Sequence, residues 1–249
     1  MSRVVLVTGA GGGIGSAVAA RFARRGDRVL LTDLAGASLE ATSARLDAPA
    51  FAADLRTPAA CTALLDWAVA TAGGVDVLVN AAGVWREGPT EATAEADFDV
   101  VMDVNFKALY FVCSAAIPHL RSRRGLIVNL SSDAGVQGNT GAALYCASKG
   151  AVSLFTKALA LELAGDVRVV AVCPGDVRTP MLTAQAERYG GGDPDAYYAR
   201  LLGGYPQGER ARFIEADEVA ALIEYLAQPE AAPITGALLS IDFGYSAGK

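Results

Sequence analysis

The chain has 249 residues, 52% of them hydrophobic and 19% charged, with 27 glycines and a net charge of −6. That make-up suits one folded domain with a sizeable core and excludes a disordered chain. The acid excess leaves no basic field for nucleic acid or an anionic membrane surface, and no apolar run approaching the roughly 20 residues that cross a bilayer is read in the sequence.

Taken in chain order, Met1-Ser2-Arg3 leads directly into an apolar run, without the longer stretch and cleavage site of a secretory signal, so a cytoplasmic location is expected. Short β-branched runs at 4–8, 28–32, 50–53, 75–80, 126–131, 167–173 and 238–241 predict strands. They are continuously apolar rather than alternating, as parallel strands buried on both faces are. Helical stretches fall between them at 14–25, 57–71, 98–121, 143–163 and 216–227. Such repetition predicts right-handed crossovers and an α/β fold, a doubly wound parallel sheet of about seven strands with helices on both faces. No linker or repeat divides the chain, so residues 1–249 are read as a single domain. Residues 183–212 break the rhythm with two glycine clusters and four tyrosines, Tyr189, Tyr197, Tyr198 and Tyr205. This stretch is expected to be an irregular insertion, able to close over a ligand at the carboxyl ends of the strands.

Cys61, Cys113, Cys146 and Cys173 lack C-x-x-C spacing and sit among apolar residues, which predicts reduced, mostly buried thiols. His119 is the sole histidine, so a zinc site and a Ser-His-Asp triad both lack their usual parts and no metal is expected. His119 and Trp67 are read as structural.

Directly after the first strand stands Thr8-Gly9-Ala10-Gly11-Gly12-Gly13-Ile14-Gly15, with a helix following. Glycines permit the tight turn and close backbone approach to a pyrophosphate, and the helix N-terminus offers unpaired N–H groups. A glycine run alone is a weak signal. Here Asp33 ends the second strand at the distance from the motif where a carboxylate takes both adenosine ribose hydroxyls and repels a 2′-phosphate. Gly12 and Leu34 occupy the positions where a basic residue would favour NADP, and no Arg or Lys is read near Asp33, so NAD is expected.

Tyr145-Cys146-Ala147-Ser148-Lys149 sets a phenol and an ammonium on one face of a helix. A free tyrosine titrates near ~10, and the lysine, with an oxidised nicotinamide, is expected to lower that value and make Tyr145 an acid/base. Ser132, just past the fifth strand, is placed to steady a substrate oxygen. Each of these residues has an ordinary structural role available to it, and the joint spacing is what favours a site.

Across nearly its full length the chain resembles the short-chain dehydrogenase/reductase family. Its glycine motif is similar to TGxxxGIG, which assigns Gly9, Gly12, Gly13, Ile14 and Gly15 to the cofactor. Asp54 and Leu55 resemble the adenine-contacting pair, and Asn80-Ala81-Ala82-Gly83 the NAG motif. Asn105 falls where the catalytic asparagine holds a water that joins Lys149 to solvent. Ser132, Tyr145 and Lys149 complete the tetrad, with Ser132 favoured over Ser131 by its spacing. Pro174-Gly175-Asp176-Val177-Arg178-Thr179 resembles PGxVxT, where Val177 backs the nicotinamide and Thr179 bonds its carboxamide or the pyrophosphate. The resemblance also implies that Lys149 bonds the nicotinamide ribose, and that two long helices and the C-terminal strand build a homotetramer or homodimer.

The implied activity is NAD-dependent interconversion of a secondary alcohol and a ketone. Trp85, Asp133 and Gln137, beside Tyr145, are expected to line the substrate, and their polarity suits a sugar, polyol or cyclic diol. The alternatives are a 3-oxoacyl thioester reductase, a dihydrodiol dehydrogenase, and a non-catalytic NAD-binding redox sensor or scaffold.

Overall fold

Val5 and Val7 pack on one face of the central sheet and Leu6 on the other, all fully buried, because successive side chains of a strand point to opposite faces. The computed structural model describes residues 2–248. Its strands are β1 (Val4–Thr8), β2 (Arg28–Asp33), β3 (Ala50–Ala52), β4 (Val77–Asn80), β5 (Leu126–Leu130), β6 (Arg168–Pro174), β7 (Val177–Arg178), β8 (Ile214–Glu215) and β9 (Leu238–Ile241). Seven of them form one parallel sheet in the order β3-β2-β1-β4-β5-β6-β9, while β7 and β8 pair separately. The chain runs outward from β1 to β3, then returns to start β4 on the other side of β1. That reversal opens a crevice at the carboxyl ends of β1 and β4, where open α/β sheets bind ligands. This is the doubly wound, Rossmann-like architecture expected.

The helices are α1 (Gly13–Arg24), α2 (Ala37–Leu46), α3 (Pro58–Ala72), α4 (Glu95–Met102), α5 (Leu109–Arg123), α6 (Ala143–Glu162), α7 (Pro180–Tyr189), α8 (Pro194–Leu202) and α9 (Ala216–Leu226). Leu64, Leu65, Val112, Leu120, Val152 and Leu159 of α3, α5 and α6 cover one face of the sheet. Val18, Phe22, Val219 and Ile223 of α1 and α9 cover the other.

Four features depart from the sequence reading. Helix α2 was not foreseen, since Leu39 and Thr42 are its only buried residues and it presents no apolar stripe. The helix expected at 98–121 is α4 and α5 joined by a π-helical turn, Asp103–Ala108, which carries Asn105. The run Glu95–Arg123 is also long and apolar enough to cross a membrane by length and composition, where the sequence predicts no such run, but it lies against the sheet and packs on α3 and α6. Residues 183–212 are not irregular. They hold most of α7 and all of α8, whose starts follow from local chemistry: Thr179 caps Leu182 N at 3.4 Å and Asp193 caps Ala196 N at 2.9 Å, each followed by a proline. The β7–β8 pairing ties the segment down near both its ends.

Candidate active site

At the end of β1 the backbone turns at Gly9 with φ +66°, where a Cβ would lie 2.6 Å from Ala82 N. A Cβ on Gly15 would collide with Gly9 O, so these two positions admit nothing larger. Helix α1 then begins at Gly13 with no side-chain cap, leaving its first N–H groups open to the crevice. A cavity of about 420 Å³ runs over this turn. Gly9, Gly12, Gly13, Ile14, Gly15, Asp33, Asp54, Leu55, Ala81 and Gly83 all line it. Asp33 is held there by the Gly11 N–H, which donates to Oδ2 at 2.9 Å. Glycine cradle, open helix end and Asp33 carboxylate together fit a dinucleotide.

Arg56 lines the same cavity as Asp33, a neighbour the sequence reading did not place there. It lies 23 positions on in sequence, and the pairing of Asp33 with Ala52 brings its segment alongside. Its guanidinium is engaged with Asp54 at 2.6 Å. Asn80 lines neither this cavity nor the larger one beside it; its amide donates to Asn129 Oδ1 at 2.9 Å and ties β4 to β5.

The crevice opens into a second cavity of about 790 Å³, which Ser132, Tyr145, Lys149, Pro174, Gly175, Val177 and Thr179 help to line. Tyr145 and Lys149 project from one face of α6, with Nζ 5.7 Å from the phenol ring centre. Nζ donates to Leu130 O at 2.8 Å, and burial pushes the lysine down to about 8. Tyr145, expected to be lowered by the lysine together with an oxidised nicotinamide, is held above the usual phenol range in the protein by itself. Burial is the main cause and the Asp133 charge the second, with the Ser132 hydroxyl partly offsetting them. The lysine ammonium faces a carbonyl rather than the phenol oxygen, so the protein alone does not stabilise the phenolate.

Asn105 is buried, its Oδ1 accepting the Val84 N–H at 2.8 Å and its Nδ2 donating to Val84 O at 3.0 Å. It does not touch Lys149. Both flank Gly83, where a Cβ would stand 3.4 Å from Asn105 Oδ1 and 3.6 Å from Lys149 Nζ. π-Helical turns recur at functional sites, and this one turns the asparagine toward the lysine.

On the far wall the Trp85 ring lies 4.3 Å from the Tyr145 ring. Asp133 also lines the cavity, accepting from Ser132 Oγ at 2.6 Å, Asn139 Nδ2 at 3.0 Å and Gln137 Nε2 at 3.4 Å. Gln137 itself stands behind Asp133 and does not line the cavity. Sequence reasoning missed Glu87 and Asp176. Glu87 Oε2 accepts from Trp85 Nε1 and from Tyr197 Oη, both at 2.9 Å, tying the wall to α8. Asp176 fills the open position of the PGxVxT-like segment, and burial pushes its carboxyl up to about 6, with Asp133 adding and the Tyr205 hydrogen bond offsetting. The only signal for either was the tyrosine-rich insertion, which supplies their partners.

A family model described as short chain dehydrogenase matches residues 3–190. The chain is 36% identical over 250 residues to a meso-2,3-butanediol dehydrogenase from Serratia marcescens, covering 99% of this chain and 95% of the relative. Among solved structures it is similar to a variant actinorhodin polyketide ketoreductase with NADPH, at TM-score 0.93 and 35% identity over 98% of this chain and 97% of the other. It is also similar to the ligand-free aldohexose dehydrogenase of Thermoplasma acidophilum, at TM-score 0.89 and 32% identity over 100% of this chain and 95% of the other.

Proposed function

The chain belongs to the short-chain dehydrogenase family, and from that premise we propose that it is an NAD-dependent oxidoreductase interconverting a secondary alcohol and a ketone. The observation that carries this reading is the meeting of two cavities at one wall, where Tyr145, Ser132 and Lys149 stand beside the glycine cradle. Asp33 supports NAD over NADP, since its carboxylate suits ribose hydroxyls and repels a phosphate. The α1 N-terminus would hold the pyrophosphate, Lys149 the second ribose, and Val177 and Thr179 the nicotinamide end.

When bound there, the nicotinamide supplies the acceptor for the hydride that leaves the alcohol carbon. The chain's own residues manage the proton. Tyr145, as phenolate, takes it from the substrate hydroxyl, and Ser132 holds the substrate oxygen in reach. Lys149 and Asn105 face one gap beside Gly83, a path by which the proton reaches solvent. The polar walls, with Asp133, Glu87 and Asp176, support a small hydroxylated substrate such as a sugar, polyol or cyclic diol. Likeness to a polyketide ketoreductase supports reduction of a 3-oxoacyl substrate as the second reading.

Exposed Leu154 and Leu161 of α6, with Tyr110 of α5 and Phe98 of α4, support a homotetramer or homodimer built on those helices. The free cysteines support a reducing, cytoplasmic setting.

The test is nicotinamide reduction, with NAD and then NADP, against sugars, polyols, dihydrodiols, 3-hydroxyacyl thioesters and hydroxysteroids. Reduction of NAD by a polyhydroxylated substrate, lost in Tyr145→Phe, supports the proposal. Silence across the panel while NAD still raises Tm would leave a nucleotide-binding sensor and sink the enzyme.

A further inference from the structure

Three carboxylates line the larger cavity, and their hydrogen bonding separates them. Asp133 takes three donors from its own loop, and Glu87 takes two on Oε2, with Arg200 4.0 Å from Oε1 at the rim. Asp176 differs: Tyr205 Oη donates to Oδ2 at 3.2 Å, and none of the described residues donates to Oδ1. Asp242 shows what a structural aspartate looks like in this fold. It is buried outside the cavity, with Gly244 N on one oxygen and Ser246 N and Oγ on the other.

Asp176 is also held in place at some expense. Tyr205 Oη accepts the Asp176 N–H at 2.6 Å as well as donating to its carboxylate, and its ring stacks on Tyr245 at 4.9 Å. Gly175 admits this clamp, since a Cβ there would lie 2.5 Å from Tyr205 Oη. The Gly175 N–H donates to Ile241 O at 3.1 Å, fixing the backbone just before it. Burial works against the charge. A buried tyrosine from the insertion therefore holds a half-buried carboxylate in the cavity with one oxygen left over.

We infer that Asp176 selects the substrate: its spare oxygen accepts a hydrogen bond from a second hydroxyl close to the carbon being oxidised, which makes diols and polyols the substrates in preference to simple secondary alcohols. This rests on the alcohol-oxidoreductase reading above. A hydroxyl completes the position as a neutral donor; an ammonium would donate there too, and the amino alcohol in the experiment separates the two. A site built to bond a substrate hydroxyl discriminates strongly against the analogue lacking it.

The experiment compares three compounds on both a cyclohexane and a pentane skeleton: the diol with adjacent hydroxyls, the mono-alcohol, and the amino alcohol. Wild type should favour the diol over the mono-alcohol in kcat/KM by about tenfold or more, the scale of one hydrogen bond to a charged group. Asp176→Ala, which removes the acceptor, should cut that ratio by a similar factor, chiefly by raising KM for the diol. Asp176→Val serves as a second variant should the first not fold. An equal fall for diol and mono-alcohol would make Asp176 structural, and an unchanged ratio or a wild-type preference for the mono-alcohol or amino alcohol would likewise overturn the inference. Turnover of no alcohol here or in the wider panel would remove the activity itself, a result distinct from any of these.

Discussion

The Ser132 hydroxyl donates to Asp133 Oδ1 at 2.6 Å while its oxygen accepts the Ala134 N–H at 3.2 Å. In this arrangement the serine's proton is committed to a carboxylate, and what it offers the cavity is a remaining lone pair. An alcohol, which brings its own proton, fits that arrangement directly. A ketone would need the hydroxyl to turn away from Asp133.

Asp133 also sets the pH behaviour of the site. Its charge is the second cause holding Tyr145 above the usual phenol range, so oxidation should quicken with rising pH beyond neutrality. Asp133→Asn keeps an acceptor for Ser132 and removes the charge. The limb on which kcat/KM rises with pH should then move toward neutrality. A limb that stays where it was would show that Asp133 does not act on the phenol.

Tyr145→Phe removes the phenol that moves the proton in the proposed reaction and leaves the cradle untouched. Turnover should fall by about 10² to 10⁴-fold or more, while the rise in Tm on adding NAD persists. Activity retained by this variant would mean that another group carries the proton.

The proposed preference for NAD rests on Asp33. Asp33→Ala removes an acceptor for two ribose hydroxyls and should weaken NAD by roughly 10 to 100-fold, the scale of one or two charge-assisted hydrogen bonds. NADP, no longer repelled, should gain on NAD in the ratio of dissociation constants measured by titration. Equal weakening of both would point to a fault in the turn that Asp33 holds through Gly11 N.

Asp176 makes an opposite prediction for stability. Its carboxyl is raised from 3.8 to about 6 in the fold, so the fold disfavours the charged form. The destabilisation is fully present above about pH 6 and fades as pH falls toward the unfolded value. Asp176→Asn should therefore stabilise the protein at neutral pH by roughly 1–3 kcal/mol, a rise on the order of 2–4 °C in Tm per kcal/mol, with little gain near pH ~4. Thermal melts at both pH values check the sign. A lower Tm at neutral pH would mean that the Tyr205 clamp needs the charge.

Much of this protein is decided by local patterns, and those are legible in the sequence alone. Continuous apolar runs separated by helical stretches specify a parallel sheet because the backbone period determines which side chains reach a core. The turn from Gly9 to Gly15 and the one-turn spacing of Tyr145 and Lys149 are equally local. Helix α2 escaped this reading because only two of its residues are buried, and α7 and α8 were hidden by the glycines around them, although Thr179-Pro180 and Asp193-Pro194 marked their starts. The remainder was decided by tertiary structure, because it depends on neighbours that the chain brings together from afar. Arg56 reaches the Asp33 cavity only through strand pairing. Glu87 meets Tyr197 across 110 positions, and Asp176 meets Tyr205 across 29. The direction in which Tyr145 titrates is likewise a matter of burial and of the carboxylates facing it, and a spacing along one helix carries no information about either.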